Sequence, residues 1–165
     1  MSLPEAAPAR EYDFGSAVYG SILVATLVGA MFEEQAPART MTLSLVGSVL
    51  IFWIAHVWSE VIGERVAEGH LFELSEVRPI AVREWPLVEA GLIPALLVAI
   101  AWIGWYSRHA GVVLALAAAV LQLVAWGMFA GHRTQPSWRA ALLAGLFDGL
   151  LGLVIVALEL SVHRI

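Results

Sequence analysis

The sequence predicts an all-α integral membrane protein whose chain forms one bundle of about five transmembrane helices. Three observations carry this. Of 165 residues, 60% are hydrophobic and only 14% charged, against roughly half and a quarter in an average soluble domain. The apolar residues fall into runs of about 20, the length that crosses a bilayer at 1.5 Å per residue. The runs are continuous, without the alternating ten-residue segments of a barrel, and helices satisfy their own backbone polar groups in lipid.

Residues 1–13 are polar and rich in Pro and Ala. They lack the charged-then-apolar pattern of a cleavable signal peptide, so they read as a flexible tail leading into an uncleaved first helix. The first span is Phe14–Phe32, closed by Glu33, Glu34 and Pro37. The second is Thr42–Val61. A connection of about 62–85 follows, in which Ile62–Glu68 continues the second helix beyond the bilayer. Its remainder, His70–Arg83, mixes Leu71, Phe72, Leu74, Val77 and Ile80 with charges, as suits a segment on the membrane surface or under the bundle. Pro79 is expected to interrupt that segment. The later spans are Pro86–Tyr106, Ala110–Ala130 and Trp138–Val162, separated by Ser107-Arg108-His109 and by residues 131–136. Trp85, Trp105 and Trp138 stand at span ends, where indoles prefer the headgroup region. Together, residues 14–165 form a single transmembrane domain.

All nine basic residues are arginine. Arg10, Arg65, Arg78, Arg83, Arg133 and Arg139 lie on the amino-terminal side, and Arg39, Arg108 and Arg164 on the other. The excess predicts a cytoplasmic amino terminus and an external carboxyl terminus in a multi-pass cell-membrane protein. There is no cysteine, which removes disulfides and thiolate ligands. No basic cluster points to nucleic acid.

Charged groups near the bilayer centre cost about 2.5–3.5 kcal/mol each on insertion scales, so each calls for a reason. His56, Glu60, Glu64 and Glu68 recur every four residues and share one helix face. Imidazole and carboxylate so spaced can hold a divalent cation or pass a proton. The plainer alternative is a solvated helix end for Glu64 and Glu68, and a helix-locking His–Glu bond for His56 and Glu60. Glu89, one turn into the third span, either lines a cavity or reaches for the interface. Asp148 is the deepest acid, inside the last span with no basic residue within a turn. Glu159, near His163, reads as interfacial. Gln122 reads as inter-helical glue. Two ladders of small residues, Ala17-Ser21-Ala25-Gly29 and Ala141-Gly145-Gly149, read as surfaces of close helix approach, within a chain or across a dimer.

Residues 55–65 of the second span, with Val18-Tyr19-Gly20-Ser21 before them and Gly91-Leu92-Ile93-Pro94 and Ser137-Trp138-Arg139 after, resemble motifs of the vacuolar iron transporter family, five-helix membrane proteins. The family's second helix carries a pattern close to A-D-G-F-S-M-x-x-G-E-Y. Residues 55–65 keep its alanine, serine, glycine and last glutamate as Ala55, Ser59, Gly63 and Glu64. Val18-Tyr19-Gly20-Ser21 resembles the start of the family's first helix, Gly91-Leu92-Ile93-Pro94 the G-x-I-P of its third, and Ser137-Trp138-Arg139 the basic lead into its last. The departures concern the metal path. The first-helix acid is replaced by Ile22-Leu23-Val24, the second-helix acid by His56 and its methionine by Glu60. The long glutamate-rich region shrinks to Glu64, Glu68, Glu73 and Glu76.

The resemblance and the stripe of the second span together imply a homodimeric transporter that moves a divalent metal ion as its substrate, with proton coupling. His56 and Glu60 are then ligands within the membrane, with Glu64 and Glu68 gathering ions at the cytoplasmic mouth. Glu89 or Asp148 carries protons or adds a ligand. Such ligands suit manganese, ferrous iron, cobalt or zinc; iron specificity does not carry over. The alternative is a non-transporting structural or accessory subunit whose buried polar groups lock helices or dock a partner. No nucleophile–base spacing or paired-histidine motif suggests an enzyme, and no cofactor motif is present.

Overall fold

The computed structural model describes residues 14–68 and 74–162, without the side chains at 68, 74–76, 159–160 and 162. The expected tail 1–13, the middle of the long connection, the side chains of Glu68 and Glu159, and His163 therefore lie outside the described residues. The described chain is helical throughout: α1 (Phe14–Glu33), α2 (Ala38–Glu68), α3 (Leu74–Arg83), α4 (Pro86–Trp102), α5 (Arg108–Thr134) and α6 (Trp138–Val162). Helices α1, α2, α5 and α6 are each long and apolar enough to cross a membrane. Helix α4, only 17 residues long, passes the same test together with α3, from which it is bent by 47°. The protein is an all-α membrane bundle.

Contacts at both ends show that α4 runs the whole length of the bundle. At one end, Glu84, just before α4, touches Ser16 at the start of α1. The Arg133 guanidinium at the end of α5 lies 5.9 Å from the Phe14 ring. At the other end, Trp102 closes α4 beneath Arg39 of α2, and Arg108 at the start of α5 donates to the Ala36 carbonyl at 3.1 Å. Five helices thus pass alternately between two faces. Helix α3 is the exception: it lies along α2, burying Ile80 against Val57 and Val61.

Helix α1 is the central element, packed on α2, α4, α5 and α6. Its ladder Ala17, Ser21, Ala25 and Gly29 is entirely buried. A Cβ at Gly20 would come within 2.7 Å of the Leu87 carbonyl oxygen, so the α1 and α4 backbones meet there. The α6 ladder packs on α5 in the same way: a Cβ at Gly145 would fall 2.7 Å from the Val124 carbonyl. Both ladders are therefore occupied inside the chain. A core of Val24, Val28, Met41, Leu45, Leu87 and Val98 fills the space between α1, α2 and α4. The outer faces of α2 and α6 expose large apolar side chains, including Ile51 at 67% and Leu143 at 69%. In a bilayer this is the lipid-facing surface.

Two helix ends share one device. Gln35, with φ 55°, donates to the Phe32 carbonyl while Ala36 donates to Met31. Gly104, with φ 88°, and Trp105 repeat the pattern on Ala101 and Ile100. This is the double bond of a Schellman close, with its left-handed residue. It ends α4 at Trp102, so the third span leaves the helix before the expected Tyr106. Pro79 does not interrupt its segment: α3 runs through it. Proline removes a single bond to the previous turn, and α3 is anchored meanwhile by the Trp53 indole, which donates to the Ala81 carbonyl at 3.1 Å.

Candidate functional site

The polar groups of the first face converge on one carboxylate. Pro86 has no N–H to offer the α3 ladder, so the chain turns at Glu84-Trp85 before α4 begins. The turn aims Glu84 inward, where only 1% of it is exposed. Its Oε2 accepts from the Ser16 hydroxyl of α1 and lies 3.3 Å from Nε2 of His56 on α2. Its Oε1 accepts from Nε of Arg83 at 3.1 Å. Arg83 then reaches outward, donating to Glu64 at 3.0 Å and Glu60 at 3.1 Å. The Tyr19 ring stacks on the His56 imidazole at 6.0 Å. Three carboxylates, one guanidinium and one imidazole thus tie together α1, α2 and the α3–α4 corner.

The cluster is graded in exposure. Glu84 is sealed, whereas the side chains of His56, Glu60, Glu64 and Arg83 are 36–43% exposed. Ser16 lies in the first turn of α1, and Glu84 precedes α4. The network therefore sits at the rim of the bundle and not at its middle, and the insertion penalty argued for a central charge does not apply to it. A buried ionised group needs a partner and further hydrogen bonds to offset its desolvation. Glu84 has both.

The expected α2 stripe is present as a geometric row whose described members face other protein groups. His56 turns to Glu84, and Glu60 and Glu64 both face the Arg83 guanidinium. Among the described residues, no group of three or more His, Asp or Glu side chains is placed to hold a metal ion. Glu68, the last member of the stripe, lies outside the described side chains. Glu89 is half-buried one turn into α4.

Asp148 stands apart. It lies about 15 Å along α6 from Trp138, at 1.5 Å per residue, and α2 and α6 are not packed neighbours. Its carboxylate abuts Gly127 of α5, where a side chain would meet it. Gln122, also on α5, has its buried Oε1 without a hydrogen-bond partner among the described residues. His56, Glu60 and Asp148 therefore do not form one constellation.

Sequence reasoning missed Glu84, the centre of the network. Flanked by Arg83 and Trp85-Pro86, it reads as part of a solvated connection. The signal was nonetheless available. Leu87, Val88 and Gly91 are buried on α4, and extending their three- and four-residue spacing backward lands on Glu84. An acid on the buried stripe of a span calls for partners.

Comparison with protein-family models, curated proteins and solved structures gives no match.

Proposed function

We propose that this multi-pass membrane protein is a non-enzymatic structural or accessory subunit, fastened at its cytoplasmic rim by the Glu84 network. The observation that carries this reading is the fully buried Glu84, held by Ser16, His56 and Arg83 from three separate elements. A carboxylate so enclosed joins helices; the acids around it spend their charge on Arg83 rather than on a free ion. The arginine excess on that face supports a cytoplasmic amino terminus in the cell membrane. Both small-residue ladders being used internally, a homodimer would form through the exposed apolar faces of α2 or α6. The test is purification of His56→Ala and Glu84→Gln variants. Loss of stability without any change in ion flux supports a fastening role; unchanged stability in both removes it.

A second reading is favoured by Asp148, an acid in mid-span against α5, and by the resemblance to five-helix metal transporters. In it the protein moves a divalent cation with proton coupling, and Arg83 must yield its carboxylates for Glu60 and His56 to engage the ion. Uptake of manganese, ferrous iron, cobalt and zinc into proteoliposomes decides between the two. Saturable uptake lost in Glu60→Ala and Asp148→Asn establishes transport; no uptake of any of these ions leaves the fastened subunit.

A further inference from the structure

The arginines of the first face are used unequally. Arg83 is consumed by three carboxylates, whereas Arg133 and Arg139, across the same face, have no carboxylate partner among the described residues. They flank the short α5–α6 turn, where the His132 and Trp138 rings lie 5.2 Å apart and join the two helix ends. Both arginines are exposed, and so are Trp138 at 70% and Phe129 at 60%.

We propose that this corner binds the phosphodiester headgroup of an anionic phospholipid. Guanidinium groups match phosphate oxygens in charge and in forked geometry, and the Trp138 indole sits where headgroups meet acyl chains. The surface below is built for the rest of the molecule. Leu143, Leu146 and Leu150 follow Arg139 at three- and four-residue intervals, so they stand beneath it on one face of α6. They are 69%, 65% and 60% exposed. A wholly apolar groove of about 410 Å³ begins at Phe147 and ends at Ile155. Its upper end lies about 12 Å below Arg139 at 1.5 Å per residue, within reach of a chain whose phosphate rests on the arginines. Charge at the top and hydrocarbon beneath describe a lipid and no soluble anion. This inference needs only that the bundle spans a bilayer, and it stands or falls separately from the fastening role of Glu84.

The test uses the full chain in nanodiscs of mixed phosphatidylglycerol and phosphatidylcholine, with retained lipid counted by native mass spectrometry. Both leaflets have the same composition, so the result does not depend on orientation. Wild type is expected to retain phosphatidylglycerol in preference to phosphatidylcholine. The preference should fall roughly fivefold for each arginine replaced in Arg133→Gln and Arg139→Gln, and Arg78→Gln, an exposed arginine on α3, should leave it unchanged. An undiminished preference in the double variant overturns the proposal. An equal loss in Arg78→Gln also overturns it, because the attraction would then be that of overall charge.

Discussion

Removing Arg83 should harm the protein more than removing Arg83 and Glu84 together. In Arg83→Gln, Glu84 keeps its burial but loses its strongest partner. Breaking a buried pair from one side costs about 3–5 kcal/mol. Arg83 itself is about a third exposed, so the lower end, about 3 kcal/mol, is appropriate for this bond. The contacts to Glu60 and Glu64 are between half-exposed groups and add about 0.2–1 kcal/mol each. The single variant should therefore lose about 4 kcal/mol. In the Arg83→Gln, Glu84→Gln double variant no charge is stranded, and the two amides, with Ser16, can still hydrogen-bond; the loss should shrink to about 2 kcal/mol. Equilibrium unfolding in mixed micelles at increasing SDS mole fraction reads both values. A double variant as unstable as the sum of its parts would refute the claim that an enclosed charge at Glu84 governs this face.

Other expectations concern the backbone and the passes. Gly20→Ala should cost about 1–3 kcal/mol, because its Cβ would press on the Leu87 carbonyl, which cannot give way. Gly47→Ala, with open space around it, should instead gain up to about 1 kcal/mol of helix propensity; thermal unfolding in detergent compares the two. Gln35→Gly should raise stability by roughly 0.5–1 kcal/mol, since Gln35 holds a left-handed conformation that glycine adopts without strain. The natural absence of cysteine makes single-cysteine labelling free of background. Glu34→Cys and Gln135→Cys should react with a membrane-impermeant maleimide from opposite faces of sealed vesicles. Labelling of both from the same face would mean that α4 does not cross.

The helical class and the placement of four spans were legible because apolar length is a strong one-dimensional signal. Phe14–Phe32 and Trp138–Val162 match α1 and α6 almost to the residue. The continuation of α2 to Glu68 was legible for the same reason. The end of α4 was not, because Gly104 closes it inside an apolar stretch that hydropathy cannot divide. The row His56-Glu60-Glu64 was also correctly read as one face, yet its partners were not. Spacing along a helix says which side chains are neighbours; it says nothing about what the next helix brings to them. Here the next helix brings Arg83 and Glu84, whose approach depends on the bend before Pro86. Asp148 was equally visible in the sequence, but its separation from α2 follows from α1 lying at the centre of the bundle.

That central position of α1 has a consequence for how the protein is made. Helix α1 leaves the ribosome ahead of α4, α5 and α6, on which it finds most of its contacts. Its row of small residues must wait in the membrane, and the bond from its Ser16 hydroxyl to Glu84 forms only once the chain beyond residue 84 has emerged. Assembly cannot proceed by adding each new helix to a finished neighbour. The early pair must stay loosely associated and admit α4 between its flanks before the rim can close. A chain truncated after α2 would thus be inserted but unfinished, exposing to quality-control proteases the very face that the later helices cover.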